Sequence, residues 1–245
     1  MKEQLHNQTD SQGRKQGYWE ETDESGIIWK GPYVDGIRQG VWQIYREDGT
    51  LRQERHYLDD MQHGLWKWYH EDGVTLWSEG HYLNGEKHGL WKWYHNNGFL
   101  LQEGHYLNWE KHGLWKVYYE DGVTIESEVH YLNGKLHGLW KGYYKDGTLK
   151  SESIWKDGKL HGIAYSYYED GVTLEEETEY FDKEDSLTFE YNKDGTISRA
   201  YYSDKNGEDQ DIPRGEIQLI SILGRETWRA IPRELFSYLT HIEIL

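Results

Sequence analysis

The chain has 245 residues, 36% hydrophobic and 29% charged, with a net charge of −17, 13 Trp, 21 Tyr and no Cys. The lack of cysteine excludes a disulfide framework, a thiolate metal site and a cysteine nucleophile. The negative charge argues against a nucleic-acid backbone or an anionic membrane as partner, because like charges repel at long range.

The opening MKEQLHNQTDSQGRKQG holds no apolar run of signal-peptide type, and no run of about 18 apolar residues occurs anywhere. Residues 1–16 read as a polar tail, and a soluble, cytoplasmic protein is the expectation. From Gly17 a repeat takes over. Gly17, Gly40, Gly64, Gly89, Gly113, Gly138 and Gly162 each open a unit, and Ser186 holds that place in a decayed copy. Nine residues after every opener stands a second glycine, from Gly26 to Gly195. Trp follows most openers by two residues (Trp19, Trp42, Trp66, Trp91, Trp115, Trp140), and Tyr stands three further on. After the Asp-Gly or Asn-Gly comes a second segment of the form LWSEGHY (76–82), LLQEGHY (100–106) or IESEVHY (125–131).

Both segments are short, aromatic-rich and bounded by turn signals, so each unit reads as a β-hairpin. The second segment alternates with a period of two: Leu76, Ser78, Gly80 and Tyr82 on one side, Trp77, Glu79 and His81 on the other. The expected fold is all-β, an elongated single-layer antiparallel meander of about eight stacked hairpins over 17–208, roughly 75 Å long at about 4.8 Å per strand.

From Asp211 the pattern changes. Ile217, Ile220 and Ile222, then Leu239, Ile242 and Ile244, fit the spacing of a leucine-rich repeat. The rival reading makes Pro232 the first residue of a helix with Leu235, Leu239 and Ile242 on one face. In either case 209–245 reads as a small cap.

The pattern G-x-W-x-x-Y-x-x-D-G-x-L-x-x-E-x-x-Y-x-x-G-x-x-H-G resembles the MORN-repeat variant of bacterial YwqK-like proteins, described as antitoxin components of toxin-antitoxin pairs. The resemblance implies a twisted antiparallel sheet of hairpins that serves as a protein-binding scaffold without cofactor or catalysis. Trp109 departs from it at a turn glycine, Trp155 at a tyrosine, and Ala164 and Thr188 at the core tryptophan.

The candidate chemistry is weighed against this lattice. Equivalent histidines one hairpin apart sit about 10 Å from each other, too far to share a metal ion. The ladder Glu54, Glu79, Glu103, Glu128, Glu152 and Glu177 repeats one environment, whereas acid–base catalysis needs two carboxyls placed differently. Cross-strand His or Lys are its expected partners. No familiar catalytic motif occurs, so no catalytic, metal or cofactor site is expected.

The periodic Trp66 and Trp91 read as core. Trp68, Trp77, Trp93 and Trp109 lie outside the obligatory pattern within two adjacent hairpins, and are candidates for a partner-binding surface. A second candidate is the acidic stretch 169–211, with 15 Asp/Glu against 4 Lys/Arg and Glu175, Glu176, Glu177 and Glu179 at its centre. The functional expectation is a non-enzymatic scaffold binding a basic protein, antitoxin-like. The alternative is a glycan-binding module that stacks sugars on Trp and Tyr. Open sheet edges also allow end-to-end self-association.

Overall fold

The structure, a computed structural model, describes residues 6–180, 186–203, 206–213 and 217. Its named elements are all β-strands, paired antiparallel in a meander, as the alternating sequence requires. The chain divides into two compact units, residues 1–136 and 137–245.

One repeat of the first unit shows how the sequence builds it. Strand Gly64–Tyr69 runs into the Asp72-Gly73 turn, where the Asp72 carboxylate accepts the backbone N–H of Val74 and of Thr75 and the Thr75 hydroxyl. Strand Leu76–Leu83 returns and ends at Asn84-Gly85. Both residues have positive φ (51° and 88°), the geometry of a type I′ turn, whose twist matches that of the flanking strands. Strand Glu86–Tyr94 follows. The opening glycine, Gly89 (φ 72°), sits where the register shifts between His88 and Trp91, so it takes the left-handed place of a bulge.

The register fixes the two faces. Trp66, Lys67 and Trp68 stand opposite Gly80, Glu79 and Ser78, and on the far side of the same strand stand Trp91, Lys92 and Trp93. Trp66, Trp68, Ser78, Gly80 and Tyr82 therefore share an aromatic face, while Lys67, Trp77, Glu79 and His81 share the ladder face. Ser78, Gly80 and Tyr82 are buried and His81 is exposed, as the period of two predicts.

Trp42, Trp66, Trp91 and Trp115 are at most 3% exposed and form the core of this unit with Tyr57 and Tyr82. For Trp42, Trp91 and Trp115 a glycine in the middle of the returning strand makes this possible. A Cβ on Gly80 would lie 2.1 Å from the Trp91 ring, and one on Gly104 would lie 2.2 Å from Trp115, so each indole rests on bare backbone. Each indole N–H also donates to a backbone carbonyl ten residues earlier, Trp66 to His56 and Trp91 to His81. This satisfies the polar atom that burial would otherwise strand.

The sheet begins at Gln8, inside the segment read as a polar tail. Asp10 and Gly13 repeat the turn of Asp23 and Gly26: Gly13 N–H donates to the Asp10 carbonyl, and the Asp10 carboxylate holds the N–H groups of Gln12 and Arg14, as Asp23 holds those of Ser25 and Ile27.

In the second unit the decayed copy forms a full hairpin, Ser186–Tyr191 with Ile197–Ser203. Leu187, Phe189, Tyr191 and Ala200 are its core, with Leu174, Ile197, Ile212 and Ile217 packed against them. Leu187 and Phe189 stand opposite Glu179 and Glu177, so this core occupies the ladder positions of the repeat. The Ile217 N–H donates to the Pro213 carbonyl at 3.2 Å. The leucine-rich and helical readings of the tail rest on residues 220–244, which lie outside the described residues.

Candidate interaction surface

On the aromatic face of the first unit, two tryptophans from outside the obligatory pattern complete a row. Trp66, Trp68, Trp91, Trp93 and Trp115 follow one another with ring centroids 5.4–5.9 Å apart. Trp68 and Trp93 are partly buried and pack against the core cluster. They bridge indoles that the repeat alone would leave a hairpin apart.

Trp109 joins this face from a turn. Its ring meets Tyr82 edge-on at 5.5 Å and is 48% exposed. The backbone there is held at φ 70°, in the place where Gly85 and Gly134 stand in neighbouring repeats. A bulky residue in the left-handed region costs about 1–2 kcal/mol, and the exposed ring recovers little of that by burial.

The structure thus brings Trp68, Trp93 and Trp109 to one surface. Trp77 does not join them: it is 49% exposed on the ladder face, beside Glu79 and His81. The four glutamates also divide. Glu177 is 2% exposed and accepts the Tyr191 hydroxyl at 3.4 Å, Glu176 accepts the Thr178 hydroxyl on the opposite side of the strand, and Glu175 is exposed. Glu179 is partly buried on the same side as Glu177.

Tyrosine, which the sequence reading did not assign to the glutamates, bonds the ladder. Tyr69, Tyr94, Tyr118 and Tyr167 donate to Glu54, Glu79, Glu103 and Glu152 at 2.7–3.0 Å, each from 15 residues downstream. Lysines do stand opposite these glutamates, as Lys67 does to Glu79, and Lys92 reaches Glu103 at 3.9 Å; at the same level of the first hairpin the pair is reversed, with Lys30 on Glu20 at 3.1 Å. Burial, then the glutamate's hydrogen bond and charge, pushes the Tyr69, Tyr118 and Tyr167 phenols up to about 12. The signal was present in the sequence as a recurring 15-residue offset of Tyr from Glu, 14 for Tyr191 and Glu177, hidden because the two lie in different repeats.

Cations line the aromatic face. Two residues before the openers of the first unit stand Lys15, Arg38, Lys87 and Lys111, with Gln62 between. The Lys87 ammonium lies 4.0 Å from the Trp91 ring centre and 4.9 Å from that of Tyr106. Lys111 lies 4.0 Å from Trp115 and 4.8 Å from Tyr131. In the repeat where Arg replaces the middle glycine, the Arg55 guanidinium stacks 4.9 Å from both Trp29 and Trp66.

The ladder face carries a groove of about 530 Å³ lined by Val41, Glu54, His56, Gly64, Leu65, Lys67 and His81. His81 stands opposite His88 and His105 opposite His112. Among the described residues no group of three or more His, Asp or Glu is placed to hold a metal ion.

No curated protein matches the chain. The MORN repeat variant matches six times, over residues 38–59, 62–84, 87–108, 111–133, 136–157 and 160–182, more than half of the sequence. These segments coincide with the hairpins whose register, Trp-on-Gly packing and Asp-Gly turns are described above, and the chain belongs to the MORN repeat variant family.

Proposed function

We propose that the chain is a non-catalytic scaffold for protein–protein interaction, antitoxin-like, which neutralises a basic partner protein by gripping it. Repeats of this family serve in general as scaffolds for interaction with proteins or membranes. The net charge of −17 favours a protein over an anionic bilayer. The observation that carries the reading is Trp109: an aromatic ring half exposed, in a strained turn, beside a row of five indoles. Partly desolvated, clustered Trp is what interaction hot spots are built from. The exposed carboxylate of Glu175 and its neighbours Glu176 and Glu179 supply the attraction for a basic protein.

The test is capture from the native cells with identification by mass spectrometry. Wild type is compared with Trp93→Ser/Trp109→Ser and with Glu175→Gln/Glu176→Gln/Glu179→Gln, each checked for folding by circular dichroism. The expected result is one basic protein held by the wild type and lost from a folded variant, whose toxicity to growing cells co-expression of this chain relieves. An identical set of captured proteins for all three chains would overturn the reading.

A further inference from the structure

The first unit contains its own reference for what a cation at the edge of the aromatic face requires. Arg38 lies over the Tyr57 ring at 4.2 Å, and its guanidinium is closed by the Asp60 carboxylate at 2.8 Å. Asp60 sits 22 residues downstream, at the second position of the next hairpin turn (φ 62°), and its N–H donates to the Arg38 carbonyl. Lys15, the equivalent residue one repeat earlier, also has a carboxylate partner, Glu21.

The same backbone geometry recurs at the next two cations. Trp109 N–H donates to the Lys87 carbonyl at 3.2 Å, and Gly134 N–H donates to the Lys111 carbonyl at 3.0 Å. Each stands where Asp60 stands, with φ of 70° and 74°. Here, however, the carboxylate is replaced by an indole at one site and by no side chain at the other. Among the described residues neither Lys87 nor Lys111 has an ion-pair partner. Burial alone lowers both ammonium groups below the ordinary lysine range. A half-buried cation held against rings without an anion is costly, and among the described residues no Asp or Glu pairs with either ammonium, although the Glu110 side chain lies against Gly134.

We propose that Lys87 and Lys111 are a pair of carboxylate-binding subsites on the aromatic face, and that their occupant is an extended acidic segment of another protein. That protein's carboxylates take the position on each lysine that Asp60 takes on Arg38. The two lysines lie two strands apart, about 10 Å. A polyproline II segment repeats every third residue, at about 9 Å on one side, so it presents successive carboxylates at the matching interval. A β-strand returns to the same side every about 7 Å and does not match. Polyproline II segments also dock on aromatic-lined surfaces, and Trp93, Tyr106 and Trp109 lie beside the two lysines. The proposal rests on the aromatic face as the contact surface and names the chemistry recognised there; it does not depend on the overall charge of the partner.

The probe is a capped Glu-Pro-Pro repeat peptide of about 15 residues, titrated into the full chain by calorimetry at low and moderate salt. A Gln-Pro-Pro peptide is the neutral control. The expected result is binding by the acidic peptide alone, weakened by salt, and weakened at least about 10-fold by Lys87→Gln/Lys111→Gln. Lys135→Gln, an exposed lysine outside the two sites, should leave it unchanged. A second variant rebuilds the Arg38–Asp60 pair in cis. Trp109→Asp/Gly134→Asp places a carboxylate at both turns, where Asp60 shows that Asp adopts the backbone, and a Cβ at Gly134 meets nothing nearer than 3.8 Å. That variant should fold as the wild type and lose the peptide.

Equal binding of the neutral and acidic peptides would overturn the proposal. So would salt-sensitive self-association lost in Lys87→Gln/Lys111→Gln, which would make a second copy the occupant. If neither peptide binds while a cellular protein is still captured through Trp93 and Trp109, the carboxylate subsites fall and the reading of the face stands. If nothing is captured either, both fall.

Discussion

The two units build from one repeat and bury different sides of it. In the first, ten of the 13 tryptophans gather and the core forms on the aromatic face, with the indoles of Trp42, Trp91 and Trp115 each lying on a bare glycine of the neighbouring strand and that of Trp66 under the Arg55 guanidinium. In the second, Ser153 and Thr178 hold the place of Gly80 and Gly104, Ala164 and Thr188 hold the place of tryptophan, and Leu160 holds the place of Lys87. Its buried cluster of Leu187, Phe189, Tyr191 and Ala200 lies at ladder positions, with Ile212 and Ile217 packed on it. The lesson is that the repeat's turns and register are independent of which side is apolar. The strand period of two offers two faces, and the residues at a few positions choose between them. In the first unit that choice leaves a face of rings and cations; in the second it yields a core that mixes Phe189 and Tyr191 with aliphatic side chains.

The contrast between the units is sharpest at the buried indoles, and there it breaks most easily. Trp91→Ala should destabilise the first unit by about 4 kcal/mol, as truncation of a fully buried aromatic does, while the partly buried Trp140 should cost less than half as much. Chemical denaturation followed by hydrogen exchange on each unit checks this, and equal losses would mean that the two units do not differ in how they use the indole. Gly80→Val comes next. Its side chain would displace the Trp91 ring and should cost about 3 kcal/mol, whereas Thr178 already occupies that place in the second unit.

Alkaline pH tests what the units share. The phenols of Tyr69, Tyr118 and Tyr167 are raised in the folded chain from the ordinary 10 to about 12. A raised acid stabilises the fold in full below its unfolded value and loses that contribution as pH rises through the folded one. Melting temperature should therefore hold up to about pH 10 and fall between about pH 10 and 12 in both units. Glu79→Gln, which weakens one rung, should cost about 1 kcal/mol. The acid limb has the opposite sign. Asp72 is lowered to about 2 by the Thr75 hydroxyl and the turn N–H groups, so its contribution is lost as pH falls from about 4 through about 2. Asp170 is lowered by the same kind of contacts in the second unit, the Thr173 hydroxyl and the turn N–H groups, so acid weakens both turns in the same direction.

The smallest expected change has an unusual sign. Trp109→Gly relieves a left-handed backbone at a half-exposed ring and should stabilise the first unit by about 1 kcal/mol. A gain in stability together with a loss of partner capture would mark Trp109 as a residue kept for contact rather than for folding.

Much of this was legible in the sequence. The hairpins, the Asn-Gly turns and the two faces of LWSEGHY follow from turn chemistry and a period of two. The core role of Trp66 and Trp91 follows from their recurrence. What escaped it was contact between repeats. The Tyr94 to Glu79 bond spans 15 residues and crosses a turn, so no local pattern announces it. Trp68 and Trp77 look equivalent as extra tryptophans, and only the strand register puts one in the indole row and the other on the ladder face. The pairing of Arg38 with Asp60, and its absence at Lys87 and Lys111, likewise needs the register of three successive strands. The run Glu175, Glu176, Glu177 and Glu179 is continuous in sequence, but the strand sends Glu176 to one side and the other three to the opposite side, with Glu177 buried among them.

Oxidative footprinting of the tryptophans, in the chain alone and bound to the protein it captures, puts the aromatic face to the test. If that face is the contact surface, Trp93 and Trp109 become protected in the complex while Trp77, on the opposite face, keeps its reactivity. Protection of Trp77 with Trp109 unchanged would contradict this and move the contact surface to the ladder face.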